Sequence, residues 1–338
     1  MRLYELQNAD GIDGLKLLER PTPSPGRDEV LLRITAATLN YRDLLTIRGG
    51  YGSRQKLPLI PLSDAAGVVE AVGPGVTRFK TGDRAVNGFF LNWFAGKPSE
   101  RKFSGAPGGQ VDGVLSEYRV FPQHALVHTP AHLSDPAAAA LACAGLTAWS
   151  AVVKFGGLSP GDTVLTQGTG GVALFALQFA KLVGARVIST SSNDRKIAKL
   201  RKLGADATIN YATTPNWGSQ VRALTAGCGV DLVVEVGGSG TLNESIRATR
   251  VGGTIAMIGV LAAPAGDFRL PIVVMQQLRL QGVTVGSLED FRMLIDAVAL
   301  HRLQPVIDRV FPFEQAPQAF TYMASRKHFG KVAIAVGG

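Results

Sequence analysis

The sequence has few cysteines, few charged residues and no secretory signal pattern. Its 338 residues include two cysteines, Cys143 and Cys228, too few for a disulfide framework. Charged residues make up only 18% and hydrophobic residues 46%, which is typical of a folded chain and excludes a disordered one. Since the opening MRLYELQNADG contains no apolar signal core, we expect a cytoplasmic protein in a reducing compartment.

The chain also lacks a convincing membrane segment. Its longest apolar stretch, 136–153, is mostly alanine and contains Gly145, so we expect a buried helix or a domain junction. The net charge of +9 attracts phosphates in general, but the cations are scattered. Nucleic-acid binding is therefore a minor alternative, which salt-sensitive association would reveal.

A glycine-rich turn stands at residues 163–173, TVLTQGTGGVA. Gly168 provides a tight turn, Gly170 lets the backbone approach a pyrophosphate, and Ala173 is small enough for close packing of helix on strand. The apolar run before the turn predicts a buried strand, the segment 172–182 predicts a helix, and 186–190 predicts a second strand. The sequence therefore predicts a βαβ unit that binds a dinucleotide.

The tip of the second predicted strand bears on the choice of cofactor. An NAD site carries an acid about 20 residues past the glycines. This chain has Thr190, Ser191 and Ser192 there, followed by Arg195 and Lys196, a pattern that favours NADP(H) over NAD(H). In the alternative, Asp194 is the acid and the two cations are solvated charges of a helix.

The order of predicted elements divides the chain into two domains. Short β-type runs with proline and glycine fill residues 1 to about 120, which predicts a small β unit. Six predicted strands then alternate with helices, which indicates a doubly wound parallel sheet of the α/β class. These strands are 163–166, 186–190, 208–210, 232–236, 254–258 and 282–285. We expect the last segment to rejoin the β unit, with the active site in the cleft between the domains.

Several further segments carry a family resemblance. They are NYRD at 40–43, Gly50-Tyr51, PLIPLSDAAGVV at 58–69, GPGV at 73–76, FKTGDRA at 79–85, ACAGLTA at 142–148, LGAD at 203–206 and FGKV at 329–332. With the glycine turn, they resemble the medium-chain dehydrogenase/reductase superfamily, and within it the zinc-free branch of quinone oxidoreductases and enone or enoyl reductases. The resemblance covers nearly the whole chain. It implies a GroES-like β catalytic domain at 1–144 and 288–338 and a Rossmann-type NADP(H)-binding domain at 145–287.

The resemblance also bears on zinc. Zinc alcohol dehydrogenases of this superfamily have a Cys, a His-Glu pair and a second Cys at positions that are Asn40, Ser63-Asp64 and Cys143 here. Three protein ligands are required for a catalytic zinc, and only Cys143 keeps a ligand type. The four cysteines of the family's structural-zinc loop are also missing from 90–115. We therefore predict no metal.

Without a metal, we expect hydride transfer from nicotinamide to a quinone or a conjugated carbonyl, with a hydroxyl or water supplying the proton. The resemblance makes Tyr51 the first candidate for the proton donor and Tyr41 the second, although either phenol could merely pack at the cleft edge. Asn40 is expected to donate an amide hydrogen bond to the substrate carbonyl, and Asp43 to orient the backbone of the motif.

The resemblance assigns further residues to the cofactor. Around the nicotinamide and pyrophosphate these are Thr147, Gly168, Thr169, Gly170, Gly171, Val172, Ile258, Gly259 and Val260. Around the 2′-phosphate they are Ser191, Ser192, Lys196 and Tyr211, with Arg195 added on charge grounds, while Lys331 is expected to reach the cofactor across the cleft.

The sequence departs from the family at two places. Leu288 stands where relatives often have a basic residue, so a cofactor contact is lost or is supplied by Arg292. The segment 87–113 carries Phe89, Phe90, Trp93 and Phe94, which predicts either an aromatic substrate lid or a surface loop with its aromatics tucked onto the β unit.

Three functions remain open. The first is an NADPH-dependent reductase of quinones, enones or enals; the second is a zinc-free alcohol dehydrogenase or carbonyl reductase. The third is a non-catalytic protein that binds RNA or a partner in response to NADPH. By resemblance, we also expect a homodimer in which the strand at 282–285 pairs with its counterpart, because an apolar edge strand is otherwise an aggregation liability.

Overall fold

The computed structural model describes residues 1–50, 55–259 and 268–337. The chain folds into two compact units. The first consists of Met1–Leu146 and Gly286–Gly338, and the second is the intervening segment Thr147–Val285.

The second unit is built on a parallel sheet of six strands that alternate with helices. Its elements in chain order are β8 (Thr163–Gln167), α4 (Gly171–Leu182), β9 (Arg186–Ser191), α5 (Asp194–Lys202), β10 (Ala207–Asn210), α6 (Trp217–Leu224), β11 (Val230–Glu235), α7 (Ser239–Ala248), β12 (Thr249–Met257), α8 (Leu270–Met275) and β13 (Arg279–Gly282). Apolar strand residues such as Leu165, Ile188 and Val233 are buried and form the core of this unit.

The strand order is β10-β9-β8-β11-β12-β13, and every pair in it is parallel. Numbered from β8, this is the order 3-2-1-4-5-6 of a doubly wound nucleotide-binding fold. The order reverses between β8 and β11, so the glycine turn that follows β8 lies at the switch point where such folds bind their ligands. The predicted Rossmann-type sheet is confirmed.

The last strand of this sheet was predicted wrongly. The expected strand 282–285 follows the observed one, because β13 pairs with β12 through Leu280 opposite Ile255. Val283 and Val285 are buried at 6% and 7% exposure, but they lie beyond the strand, and Val285 has a φ of 53°. The apolar residues Val283 and Val285 therefore mark a buried loop, whereas the edge strand itself carries the polar residues Arg279 and Gln281.

The first unit contains a seven-stranded sheet that is mostly antiparallel. The elements of the unit are β1 (Arg2–Leu6), β2 (Leu15–Glu19), β3 (Glu29–Thr38), α1 (Tyr41–Thr46), β4 (Asp64–Val72), β5 (Arg84–Asn87), β6 (Tyr118–Pro122), β7 (Leu126–His128), α2 (Asp135–Ala139), α9 (Leu288–Leu300), β14 (Ile307–Pro312), α10 (Ala316–Ala324) and β15 (Lys331–Ala335). The strand order of the sheet is β14-β15-β3-β4-β5-β7, with β6 also paired to β3. A separate antiparallel pair is formed by β1 and β2.

The C-terminal segment completes this sheet, as predicted. Strand β15 pairs antiparallel with β3, where Ala333 lies opposite Thr38. This pairing brings the start of β15 next to the end of β3, and both strand ends carry polar residues of the site described below.

The long apolar stretch forms a helical segment, Asp135–Lys154, which includes the short helix α3 (Leu146–Trp149). Among the described residues it is the one helix long and apolar enough to cross a membrane, with a mean hydropathy of 1.6, but 83% of its apolar window is buried within the protein. That burial is the character of a core helix.

Candidate functional site

The glycine turn joins β8 to α4 with the geometry that a pyrophosphate site needs. Gly168 has a φ of 77°, which favours glycine, and its N–H donates to the Thr190 carbonyl on β9. A Cβ added at Gly168 or Gly170 would meet no atom within 4 Å, so the space beside both residues is open. Helix α4 begins at Gly171, and the first N–H groups of a helix have no intrahelical partner and can bind an anion.

The small residue of the fingerprint is needed for packing. Ala173 is 2% exposed, in the first turn of α4. Thr169 is also buried, Val172 is half-buried, and Thr147 is 4% exposed at the start of the second unit. These expected cofactor residues therefore lie in the second unit, where they are buried or half-buried.

The tips of β9 and β10 bring together most of the residues assigned to a 2′-phosphate. Ser191 lies opposite Asn210 in the sheet, and the N–H of Tyr211 donates to the Ser191 carbonyl over 3.1 Å. Ser192 and Arg195 are exposed, and Lys196 is half-exposed in the first turn of α5.

Asp194 stands in the same turn, where the alternative interpretation makes it the acid that binds the ribose. Its Oδ1 accepts a 2.8 Å hydrogen bond from the side-chain amide of Asn210. Helix α5 is capped instead by Asn193, whose Oδ1 accepts from the N–H of Lys196. The carboxylate of Asp194 is thus held toward β10.

A buried glutamate that the sequence analysis missed joins three loops at the carboxyl ends of the strands. Glu235 is 1% exposed at the end of β11. Its Oε1 accepts from the N–H groups of Gly237 and Gly238 at 2.7 and 3.0 Å. Its Oε2 accepts from the Gln167 amide at 2.8 Å and from the hydroxyl of Ser245. Since Gln167 directly precedes the glycine turn, this carboxylate ties the turn to the loop after β11.

The backbone of Glu235 holds a further part of the expected cofactor site. Its carbonyl accepts from the N–H groups of Ile258 and Gly259, at 2.9 and 3.2 Å. A Cβ at Gly259 would lie 1.7 Å from the carbonyl oxygen of Val236, so only glycine fits there. The sequence signal for this network was an acid at the end of an apolar strand, followed by two glycines.

In the first unit, three side chains form a buried polar cluster, here called the lysine cluster: Lys331, Asn40 and Asp64. The ammonium of Lys331 donates to Oδ1 of Asn40 at 2.6 Å and to the Leu39 carbonyl at 2.7 Å. It lies 3.5 Å from Oδ2 of Asp64. The side-chain amide of Asn40 donates to that same carboxylate oxygen at 2.8 Å.

The carboxylate of Asp64 has additional donors. Ser63 donates its hydroxyl proton to Oδ1 over 2.6 Å, and Thr38 reaches Oδ2 over 3.4 Å. Asp64 is 0% and Lys331 3% exposed. A buried carboxylate and a buried ammonium are therefore paired and hydrogen-bonded, as burial of charge requires.

These contacts bear on two expectations about the cluster, both of which stay predictions. Lys331 was expected to reach the cofactor, but its ammonium is buried against Asn40, Asp64 and Leu39. Asn40 was expected to give its amide to a substrate, but one amide N–H is already committed to Asp64. The sequence could not show either contact, because the partners are distant in the chain.

Asp43 lies beside this cluster at the first turn of α1. Its Oδ2 accepts from the backbone N–H of Asn40 at 2.6 Å. The role predicted for Asp43, orienting the backbone of the motif, would use this contact. Burial raises the pKa of Asp43 to about 6, against a lowering by the neighbouring Arg42. Its Oδ1 is buried and meets no donor in the part of the chain that the structure describes.

A protein cation lies among the residues that the resemblance places at the positions of the zinc ligands. The ammonium of Lys331 already contacts Asn40 and Asp64 and would repel a cation there. Burial raises the pKa of the Cys143 thiol well above its usual range, and the nearby carboxylate of Asp64 adds to the rise. The described residues contain no group of three or more His, Cys, Asp or Glu that could hold a metal.

Of the two tyrosines proposed as proton donors, the structure describes only Tyr41. Tyr51, the first candidate for the proton donor, lies outside the described residues, as does Val260 of the cofactor set. Tyr41 is half-buried at the start of α1 and packs against the hydrophobic core of the first unit.

The aromatic segment at 87–113 has its side chains tucked inward, as in the second of the two interpretations. Phe89, Phe90 and Trp93 are at most 5% exposed, and Phe90 and Trp93 both pack against Phe103 at centroid distances of 5.1 and 5.4 Å. Phe94 is 46% exposed and packs against His124. A small aromatic core therefore stabilises this segment.

Leu288 and Arg292, at the first of the two departures from the family, both have contacts within the first unit. Leu288 is 2% exposed, and its side chain fills the space beside Gly88. A Cβ added at Gly88 would lie only 2.2 Å from Cδ2 of Leu288. Arg292 donates to the carbonyl of His124 over 3.2 Å. In the first unit both side chains thus have packing or hydrogen-bonding roles.

Two family models match the chain. The alcohol dehydrogenase GroES-like domain matches residues 26–131, and the zinc-binding dehydrogenase model matches residues 171–299. A zinc-type alcohol dehydrogenase-like protein of Schizosaccharomyces pombe is 42% identical, over 96% of both chains. An acryloyl-coenzyme A reductase of Sulfurisphaera tokodaii is 28% identical, over 95% of this chain and 96% of the relative.

Solved structures agree with these matches. The crystal structure of an NAD-dependent alcohol dehydrogenase is 36% identical, covers 100% of both chains and has a TM-score of 0.92. A mycobacterial protein in complex with NADPH is 27% identical, with 99% of each chain covered and a TM-score of 0.82. These similarities set aside the non-catalytic alternative. With its GroES-like and Rossmann-type units, this chain belongs to the medium-chain dehydrogenase/reductase superfamily and is an NAD(P)H-dependent oxidoreductase.

Proposed function

We propose that this enzyme is a zinc-independent, NADPH-dependent reductase of quinones or α,β-unsaturated carbonyl compounds. The observation that carries the proposal is the lysine cluster, in which a protein ammonium contacts Asn40 and Asp64, the residues that the resemblance matches to zinc ligands. A fixed protein cation at these positions disfavours a Lewis-acidic metal there and supports a metal-free reaction.

A site without a metal suits an acceptor that stabilises charge by itself. When bound, the nicotinamide supplies a hydride to the electrophilic carbon of the acceptor. In a conjugated carbonyl or quinone, the electron pair moves to oxygen, and a proton completes the reduction. A simple alcohol has no conjugated oxygen to take up the negative charge, and its hydroxyl proton must leave without the help of a metal cation.

The protein groups offered to such an acceptor are polar and uncharged. Asn40 has one amide N–H beyond the one held by Asp64, and this N–H is the proposed donor to the acceptor oxygen. Tyr51 remains the proposed proton donor, with Tyr41 as the second candidate.

The preference for NADPH is supported by the tips of β9 and β10. Hydroxyl, phenol and basic groups gather there at Ser191, Ser192, Tyr211, Arg195 and Lys196. The nearest acid, Asp194, is hydrogen-bonded to Asn210. A cationic, hydroxyl-rich tip favours the additional phosphate of NADP(H).

A zinc-free alcohol dehydrogenase or carbonyl reductase is the second candidate. The observation in its favour is the 36% identity to an NAD-dependent alcohol dehydrogenase over the whole chain. This candidate would turn over aldehydes or secondary alcohols and would leave enones unchanged.

One panel of assays separates the candidates. Purified protein is assayed with NADPH and NADH against a quinone, an enone, an aldehyde and a secondary alcohol, with metal content measured on the same sample. We expect reduction of the quinone or enone, unchanged by a strong chelator, and no stoichiometric zinc. Turnover of aldehyde and alcohol alone would support the second candidate, and loss of activity on chelation would refute zinc independence.

We further propose a homodimer formed through the edge of the second unit's sheet. Strand β13 ends the sheet and has a pairing partner on one side only among the described strands. Apolar side chains beside this edge are exposed, with Met275 at 82%, Val274 at 64% and Val251 at 61%. A second copy of the chain would pair the open edge and cover these side chains.

A further inference from the structure

We propose that Lys331 is a positioning residue that fixes the side-chain amide of Asn40 for the acceptor oxygen, and that it does not bind the cofactor. This inference rests on the proposed function, in which Asn40 donates to the acceptor. It concerns one contact, the 2.6 Å hydrogen bond from the ammonium of Lys331 to Oδ1 of Asn40.

The first step is the orientation of the amide. An ammonium can only donate, and an ionised carboxylate can only accept. Oδ1 of Asn40 therefore faces Lys331, and Nδ2 faces Asp64 at 2.8 Å. A rotated amide would place its NH₂ group against the ammonium and its oxygen against the carboxylate, so Asn40 has a single favourable orientation.

The second step concerns the remaining N–H. An amide nitrogen carries two hydrogens, and Asp64 takes one of them. The other has Ser63 as its neighbour, with 3.5 Å between Nδ2 and Oγ. That distance is too long for a strong hydrogen bond. The Ser63 hydroxyl donates its own proton to Oδ1 of Asp64, and its oxygen offers Asn40 only this long contact. The second N–H can thus be given to a ligand at little cost.

The third step is electronic. A cation at the carbonyl oxygen of an amide draws electron density from its nitrogen, and linked hydrogen bonds polarise one another. The ammonium of Lys331 therefore makes the N–H groups of Asn40 stronger donors. This effect grows in a dry environment, and Lys331 and Asn40 are 3% and 8% exposed.

The same contacts argue against a cofactor phosphate as the partner of Lys331. Two of its three N–H groups make short hydrogen bonds, to Leu39 and Asn40, and Asp64 lies 3.5 Å away. To reach a phosphate, the ammonium would have to leave both acceptors and abandon a carboxylate that is 0% exposed. Leaving a buried charge without its partner is strongly unfavourable.

A double-mutant cycle tests the inference. The variants are Lys331→Met, Asn40→Ala and the two combined, with Lys327→Met as the control, since Lys327 is exposed just before β15. Each is measured for NADPH affinity by fluorescence, and for kcat and KM with the quinone or enone at saturating NADPH.

We expect Lys331→Met to lower kcat/KM for the acceptor about 10- to 100-fold, the usual effect of removing a group that orients an active-site residue. Asn40→Ala should lower it about 100-fold, and the double variant should be no worse than Asn40→Ala alone. NADPH affinity should stay within about twofold of the unmodified protein in all variants, and Lys327→Met should match it in every measurement.

Two results would overturn the inference. One is weaker NADPH binding by Lys331→Met with normal acceptor kinetics at saturation, which would return Lys331 to the cofactor. The other is full additivity of the two substitutions. If Lys331→Met fails to fold, Lys331→Met combined with Asp64→Asn removes both charges and takes its place in the cycle.

A failure of the proposed function is distinguishable from these results. If the unmodified enzyme reduces only aldehydes, the proposed substrate class is wrong, and the cycle is then run with the aldehyde. Coupling between Lys331 and Asn40 would stand in that case, whereas additivity would refute it with either substrate.

Discussion

The ammonium of Lys331 and the amide oxygen of Asn40 are joined by a 2.6 Å hydrogen bond across 291 positions of the chain. Asn40 follows β3, and Lys331 begins β15, the strand that pairs with β3. By the family resemblance, Asn40 stands at the position of a zinc ligand of zinc alcohol dehydrogenases, so the contact places a protein cation beside that position.

The glycine turn gives a test that separates binding from folding. Gly170 has a φ of −78° and open space at its missing Cβ, so Gly170→Ala should fold normally. The added methyl would stand where the pyrophosphate approaches the backbone, so NADPH affinity should fall at least about tenfold. Fluorescence titration measures the affinity, and thermal unfolding measures the stability.

Gly282→Ala is the matched control, because a Cβ there also meets nothing within 4 Å. It should bind NADPH as the unmodified protein does. Unchanged NADPH affinity in Gly170→Ala would contradict the assignment of the pyrophosphate to this turn.

Asp43 predicts a particular dependence of stability on pH. Burial raises the pKa of Asp43 to about 6 in the folded protein, from an ordinary value of 3.8. Between these values the folded protein holds a proton that the unfolded chain has released, so Asp43 makes the protein less stable as the pH rises through this window. At about 1.4 kcal/mol per pKa unit, the loss is on the order of 3 kcal/mol.

Asp43→Asn removes this titration while keeping an oxygen for the N–H of Asn40. The free energy of unfolding of the unmodified protein, minus that of the variant, should therefore fall between about pH 4 and about pH 7. Denaturant titrations at several pH values measure this difference. A difference that stays constant with pH would show that Asp43 has no raised pKa.

The basic tip after β9 predicts cofactor selectivity. Arg195→Ala should weaken NADPH binding about tenfold, or about 1.4 kcal/mol, and leave NADH binding unchanged, because only NADPH carries the 2′-phosphate. Arg201→Ala is the control from the same helix, since the Arg201 guanidinium donates to the hydroxyl of Thr208. Equal losses for both cofactors would instead indicate a general effect of charge.

The proposed dimer predicts a response to a single charge. Met275→Asp places a carboxylate on the exposed apolar surface beside β13, where burial against a second copy would be costly. Sedimentation velocity should show the unmodified protein at twice 35.6 kDa and the variant at the monomer mass. Leu300→Asp, at a side chain 78% exposed in the other unit, should stay dimeric. A monomeric unmodified protein would refute the proposal.

Much of the fold could be predicted from the sequence because its signals are local. The turn at Gly168 requires a positive φ, and the helix that follows it is marked by its own apolar residues. The edge strand β13 could not be located in this way, because an edge strand is half-exposed, whereas Val283 and Val285 are buried in a loop. Apolar patterning reports burial, and it located only the strands in which burial and pairing coincide.

For the candidate site, the sequence by itself determined which chemical groups are present: a glycine turn, a basic strand tip, and Asn40, Asp64 and Cys143 where zinc ligands would be. Only the tertiary structure decided what these groups do to one another. The pairing of β15 with β3 brings Lys331 to Asn40, and the pairing of β3 with β4 places Thr38 opposite Asp64. A hydrogen bond requires contact in space, and sheet pairing supplies that contact between residues 26 and 291 positions apart, where no local pattern of the sequence could reveal it.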